Sequence, residues 1–339
     1  MIPMFVRLAV RRSLRDTRYV QVVLPRRADG LVAEVYRQVE RDFNMLAPPV
    51  ALHSSAPESL AAGWMILRET LVAQGVSSRA NKEAVAKGVS MANSCPYCAD
   101  VHGMTLDAIT DTAGQSDCNA LVAWARGSVS ATASGAPPFL PEQAPELIGV
   151  AVAFQYYNRM VNIFLRDSPL PAHVPESAKP RARQVLGRVL RPAGSGPRPG
   201  ESLGLLPAAP LPNDLGWARP NAVVADAFAR AYAAIEAAGA RSVSQSVRDL
   251  VHSRLSIWDG LAPGISRSWV DEAVAGLPEG DRPAGRLAMV IALASYQVDE
   301  GLVNAFRRTA PGDDTLVELA AWASMAAARR VSTWLAAAA

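Results

Sequence analysis

The chain has little cysteine, few aromatics, almost no net charge and no long apolar run. Three cysteines in 339 residues are too few for a disulfide framework, which excludes the small stapled folds and points to a reducing, cytoplasmic compartment. A formal charge of +3 gives no electrostatic case for nucleic acid as a partner. Aromatics make up 6% of the residues and β-branched runs are scarce, whereas half the chain is hydrophobic and alanine leads that half. Alanine is the best helix former, so the composition favours helices over sheet. The longest apolar candidate, Leu287 to Tyr296, is about half of what a membrane-spanning helix needs. The arginines of residues 1–27 (Arg7, Arg11, Arg12, Arg15, Arg18, Arg26, Arg27) are interspersed, and no signal-peptide core follows them. Gly194, Gly196 and Gly200 form no phosphate loop, because no strand precedes them and no Gly-Lys-Ser/Thr follows. A soluble, all-α chain without a membrane or nucleic-acid partner is expected.

What is present is helical grammar. Leu31, Val32, Val35, Val39 and Phe43 fall at helical spacing, closed by Pro48 and Pro49. Ser55-Ala56-Pro57-Glu58 carries a capping-box pattern for a helix running to about Gln74, ended by Gly75. Ser77 and Ser78 offer the N-cap of a helix from Asn81 to Asn93. Ser94-Cys95-Pro96 interrupts it and starts another, with Pro96 at its first position, Cys95 as N-cap and Cys98 in the first turn. Further helical patterns cover Cys118 to Ser130 and Pro141 to Leu165.

The organisation reads as four parts. Residues 1–28 form a basic arm, solvated or packed on a neighbouring subunit, and residues 29–167 a first helical domain. Residues 168–220 are a proline-rich linker or surface crossover in which Ala178 to Leu190 alone suits a helix. Residues 221–339 form a second helical domain, with helices at Asn221 to Ala238, Ser242 to Trp258, Asp271 to Leu277, Arg286 to Arg307 and Asp313 to Leu335. The halves read as two tandem degenerate repeats. Met91 to Cys95 overlays Leu293 to Gln297, and Leu121 to Trp124 overlays Leu319 to Trp322 after a short deletion. In the first register Gln297, Glu300 and Asn304 stand where Cys95, Cys98 and His102 do, so the second copy has lost its thiols.

One stretch concentrates chemistry: Glu83, then Cys95-Pro96-Tyr97-Cys98, then His102. A thiol reacts as its thiolate, and an ordinary cysteine near neutral pH is mostly protonated. Cys98 beside a helix N-terminus gains from unpaired N–H groups and the positive end of the dipole. His102, one turn on, lies over the same face and can take or relay the thiol proton. Glu83 on the preceding helix can orient the imidazole, completing a nucleophile, base and orienter. Cys95 is placed to attack a sulfenic acid on Cys98 and close a disulfide. The competing readings are half of a zinc site, completed by His102, Cys118 or a distant His53, His173 or His252, and two inert core cysteines. No second Cys-x-x-Cys or His-x-x-x-His exists, so no metal site is expected. Cys118 reads as a packed small residue, and His53, His173 and His252 as surface or capping residues. The aromatics from Phe154 to Phe164 read as core packing; Asn158 and Arg159 within them could approach the site or a subunit interface, with core packing the preferred reading.

Glutamate, eleven residues, Cys-x-x-Cys, three residues and histidine resembles the active-site signature of the alkyl hydroperoxidase D family, within the carboxymuconolactone decarboxylase-like superfamily. The Ser77-Ser78-Arg79-x-x-Lys82-Glu83 helix start and the Tyr157 to Phe164 segment are similar to that family too. The resemblance covers about Pro48 to Leu165, and the second half only as a degenerate repeat. It implies an all-helical fold that assembles into trimers or larger rings, and peroxidase activity with no bound cofactor. It also implies Cys98 as the attacking thiol, Cys95 as the resolving one, and Glu83 and His102 as a proton relay. The reductant it implies is a dithiol such as dihydrolipoamide on a carrier protein. One departure stands out. The family's founding members carry histidine before the second cysteine, where this chain has Tyr97, and a phenol does not shuttle protons near neutral pH as an imidazole does. The alternative from another class is a helical protein whose cysteine pair senses oxidants and alters partner binding.

Overall fold

The computed structural model describes residues 14–43, 45–110, 115–132, 135–170, 174–191, 194 and 196–338. In chain order the helices are α1 (Gly30–Phe43), α2 (Pro48–Ala51), α3 (Pro57–Leu67), α4 (Arg79–Ala92), α5 (Pro96–Ile109), α6 (Gln115–Gly127) and α7 (Ala144–Phe164). They continue with α8 (Lys179–Leu190), α9 (Ala222–Ser242), α10 (Gln245–Ile257), α11 (Ser268–Val274), α12 (Arg282–Ala294), α13 (Glu300–Arg307) and α14 (Asp313–Ala338). No strand occurs among the described residues, and the fold is all-α as the composition led us to expect.

The caps that begin these helices are mostly local. Ser78 accepts from the Asn81 N–H at 3.2 Å to start α4, Asn221 caps α9 through Val223 and Val224, and Asp299 caps α13 through Leu302. Each satisfies donors that a helix start leaves unpaired. Three expectations change. Pro48 and Pro49 open the short α2, since proline fits the first helical turn as well as it follows an end. Ser55 makes no capping box: Ala56 is the N-cap of α3, and the Ser55 hydroxyl is buried without a partner. The pattern from Arg286 to Arg307 is not one helix, because it starts earlier and breaks between Ala294 and Glu300.

The last turn of the α3 segment widens to a π-helix over Arg68–Val72. Here Arg68, fully buried, donates from Nε to Asp42 at 2.7 Å and reaches Glu69 at 2.6 Å and Glu201 at 2.9 Å. Glu69 in turn accepts from the Gly200 N–H, the Ser202 N–H and the Ser202 hydroxyl. The proline-rich stretch is therefore a crossover bonded to the body around residues 196–202. Its helix α8 lies on α5, where a Cβ at Gly187 would stand 2.7 Å from the Met104 carbonyl.

One continuous core holds side chains from both sides of this crossover, from Leu14 to Leu335. α7 is buried along nearly its whole length and packs on α14, while α3 packs on α9 and α4 on α6. Gly88 permits the α4–α6 approach, since a Cβ there would sit 2.6 Å from the Val122 carbonyl oxygen. The described part of the N-terminal arm is hydrogen-bonded to its own chain. Arg18 N–H donates to the Phe164 carbonyl at 2.7 Å, Gln21 N–H to Asp313 and Val23 N–H to Ser54. Arg7, Arg11 and Arg12 lie outside the described residues. No described helix is long and apolar enough to cross a membrane.

Candidate active site

The site is built where α4 hands over to α5. Asn93 ends α4, Ser94 takes a left-handed conformation at φ 51°, and Cys95 becomes the N-cap of α5 with Pro96 at the first position. A left-handed residue here reverses the chain without a longer loop. The Cys95 N–H donates to Ser90 and its carbonyl accepts from Ala99, so both sides of the turn are fixed. Cys95 and Cys98 are free thiols, 1% and 3% exposed, and their side chains hydrogen-bond each other.

Glu83 projects from α4 and His102 from α5, and they meet: His102 Nδ1 lies 2.6 Å from Glu83 Oε2. Arg79, one turn before Glu83, donates from Nε to the other carboxylate oxygen at 2.7 Å. Burial alone would raise the Glu83 carboxyl, but the charges and hydrogen bonds of Arg79 and His102 outweigh it and hold the group below the usual range. Glu83 is therefore a carboxylate, which can only accept, so Nδ1 of His102 carries the proton and Nε2 is left as the basic nitrogen of the neutral ring. The ring stands edge-on to Phe154 with centroids 4.4 Å apart. Lys82 secures α4 from its other side, reaching the Ala73 carbonyl at 3.0 Å and Glu146 of α7 at 3.2 Å.

Cys98 departs from the sequence reading. The helix N-terminus does not lower its pKa: burial, then the hydrogen bond and charge of Cys95, push the thiol well above its ordinary value. The one opposing contact is a hydrogen bond from Asn158. Desolvation of a whole anion exceeds what a partial helix charge returns. Tyr97, half-buried, is raised as well, by burial first and then by both cysteines. It stays a neutral phenol.

Asn158 thus meets the Cys98 thiol, the reading that ranked behind core packing in the sequence. Its amide reaches Ser90 Oγ at 3.0 Å as well as Cys98, and its oxygen accepts from Asn93 Nδ2 at 3.1 Å. A polar residue inside the aromatic stretch of α7 was the available signal. Arg79 was missed, although its i, i+4 spacing to Glu83 on α4 announces the pair.

The remaining candidates lie apart from this pair. His53 is fully buried, contrary to a surface role. Its Nδ1 is held 3.1 Å from the Val50 carbonyl, it packs against Tyr156 and Tyr157, and burial lowers its pKa to about 4. His252 is exposed, edge-on to Trp322. His173 lies outside the described residues. Cys118 is a buried free thiol. Among the described residues no three histidine, cysteine, aspartate or glutamate side chains gather as metal ligands. Gln297, placed by the repeat register opposite Cys95, donates to the Gly264 carbonyl at 2.8 Å.

Comparison with known proteins adds one relative. The chain is 37% identical over 344 residues, 96% of its own length and 97% of the other's, to a Mycobacterium tuberculosis (strain ATCC 25618 / H37Rv) protein named alkyl hydroperoxide reductase Rv2159c. No family model matches the chain, and no solved structure does.

Proposed function

The chain belongs to the alkyl hydroperoxidase D-like family, and from that membership we propose that it is a thiol-dependent peroxidase cycling through Cys98 and Cys95. The observation that carries the reading is the Cys95–Cys98 hydrogen bond at the start of α5, one turn from a Glu83–His102 pair closed at 2.6 Å. His102, with Nδ1–H committed to Glu83, offers Nε2 to the thiol proton. The Cys98 thiolate attacks the hydroxyl-bearing peroxide oxygen, the O–O bond breaks, and the departing alkoxide takes the proton held by His102 to leave as alcohol. Cys98 is then a sulfenic acid. Cys95, within bonding reach, displaces water from it and forms the disulfide. An external dithiol, such as dihydrolipoamide on a carrier protein, returns both thiols by exchange. No bound cofactor or metal takes part, and assembly into a homo-oligomer belongs to the same proposal.

The dithiol-sensor reading has one observation in its favour, the burial of both sulfurs, which slows turnover without preventing a single oxidation. Peroxide consumption by the full chain with dihydrolipoamide as reductant separates the two. Sustained turnover lost in Cys98→Ser, with a trapped sulfenate in Cys95→Ser, is expected. One stoichiometric oxidation without turnover would remove the peroxidase reading in favour of the sensor.

A further inference from the structure

Arg159 of α7 is 4% exposed and has no carboxylate partner among the described residues. A buried cation without a counter-charge is costly, and proteins rarely keep one idle. Its contacts are all to neutral groups. Nε donates to the Ala292 carbonyl of α12 at 3.0 Å, Nη1 donates both to the Gln155 carbonyl at 2.7 Å and to Gln155 Oε1 at 2.8 Å, and the guanidinium lies 5.9 Å from the Trp258 ring centroid.

A guanidinium can only donate, so the end of Gln155 that faces it must be the oxygen. That oxygen also receives Asn93 Nδ2 at 3.0 Å, which fixes the Asn93 amide, and the same Nδ2 donates to Asn158 Oδ1 at 3.1 Å. The Asn158 oxygen is thereby used, and its N–H groups must turn to Ser90 and Cys98. Gln155 Nε2 is left buried without a partner. The chain thus gives up one hydrogen bond to keep every amide pointing the same way.

We propose that Arg159 is a positioning residue for Cys98: its buried charge sets the direction of the Gln155–Asn93–Asn158 amides, which end in an N–H donor on the Cys98 sulfur. The inference rests on the reading of Cys98 as the attacking sulfur. It also gives the thiol-free half a task, since the Ala292 carbonyl anchors the guanidinium and Ser295 accepts from Asn162, which donates to the Asn93 carbonyl as well.

Site-resolved alkylation of Cys98 by iodoacetamide across pH, on the reduced full chain, tests it without peroxide. The titratable groups facing Cys98 are Cys95 and Tyr97 from α5 and Tyr157 from α7, with the Arg79–Glu83–His102 group beyond. Near Arg159, Arg330 of α14 donates to the Trp258 carbonyl. These groups are unchanged in every variant. Arg159→Met is expected to move the alkylation profile up by about one pH unit, a roughly tenfold slower reaction on the rising limb, and Arg159→Lys to restore part of it. Loosening of the core alone would expose the sulfur and speed alkylation, so the direction of the change separates the roles. Gln155→Met, which breaks the amide chain and keeps the cation, should move the profile the same way by less. A folded Arg159→Met with an unmoved or faster profile overturns the proposal. If Arg159→Met does not fold, an unmoved profile in Gln155→Met does so. A wild-type chain that consumes no peroxide, with the Arg159→Met displacement intact, removes the peroxidase reading and supports this one.

Discussion

Replacing Glu83 by glutamine tests the relay, because the structure fixes what the change costs. Glu83 Oε1 and Oε2 accept from Arg79 and His102. An amide keeps one acceptor, so if its oxygen serves His102 its NH2 faces the Arg79 donor. Losing a charge-assisted bond in a buried place costs about 1.5–3 kcal/mol. Over 339 residues the unfolding entropy is roughly 0.7 kcal/mol/K, so Tm falls by only about 2–4 °C. Ser78→Ala, which removes the N-cap of the same helix far from the sulfurs, costs about 1 kcal/mol and lowers Tm by roughly 1.4 °C. Turnover should separate them: near wild-type in Ser78→Ala, and down roughly a hundredfold in Glu83→Gln, at the lower end of what positioned acid–base groups contribute. A second signature follows from linkage. The Glu83 carboxyl sits lower in the folded chain than unfolded, so its stabilisation is present above the unfolded carboxyl range and disappears as pH falls through the folded value. Glu83→Gln should therefore flatten the acid side of the Tm–pH curve. Turnover in Glu83→Gln within threefold of that in Ser78→Ala would refute the relay.

Other perturbations have outcomes of their own. Because burial and Cys95 raise the Cys98 thiol, its alkylation near pH 7 should be slower than that of a free cysteine and still be rising with pH above the ordinary thiol range; a plateau below pH 8 would contradict the burial argument. Gly88→Ala drives a methyl onto the backbone of α6 and should cost about 1–3 kcal/mol, read as a lower urea midpoint at unchanged m-value. Arg68→Met leaves Glu69 a buried anion without its ion-pair partner, while Asp42 keeps Arg41 at 2.6 Å; the loss is about 3–5 kcal/mol and should speed proteolytic cutting near residues 196–202, and equal cutting in both proteins would show that the crossover is held by other contacts.

The helices and the Glu83–Cys95–Cys98–His102 spacing were legible because both are local signals: apolar periodicity, the cap at Ser78, proline at position 96. The break before Glu300 was less so, since alanine and valine continue smoothly to Gln297 and the cap is a single Asp299. The amide chain was not legible at all. Asn93, Gln155 and Asn158 lie on two helices more than sixty residues apart, and nothing in an alanine-rich sequence distinguishes a core asparagine that meets a sulfur from one that meets a serine. The direction of the Cys98 shift was misjudged for the same reason, because the depth of burial depends on how α7 lies against α5.

Two sulfurs at 1% and 3% exposure also set a rule of admission. Any reagent reaches Cys98 at its intrinsic rate multiplied by the fraction of time the surrounding helices stand apart, and each further 1.4 kcal/mol of opening cost slows the encounter about tenfold. A peroxide-sized molecule needs a small, frequent breach, whereas a folded protein thiol needs a wide and rare one. The packing therefore sorts reactants by girth before chemistry begins: a slender dithiol arm can enter where the protein that carries it cannot.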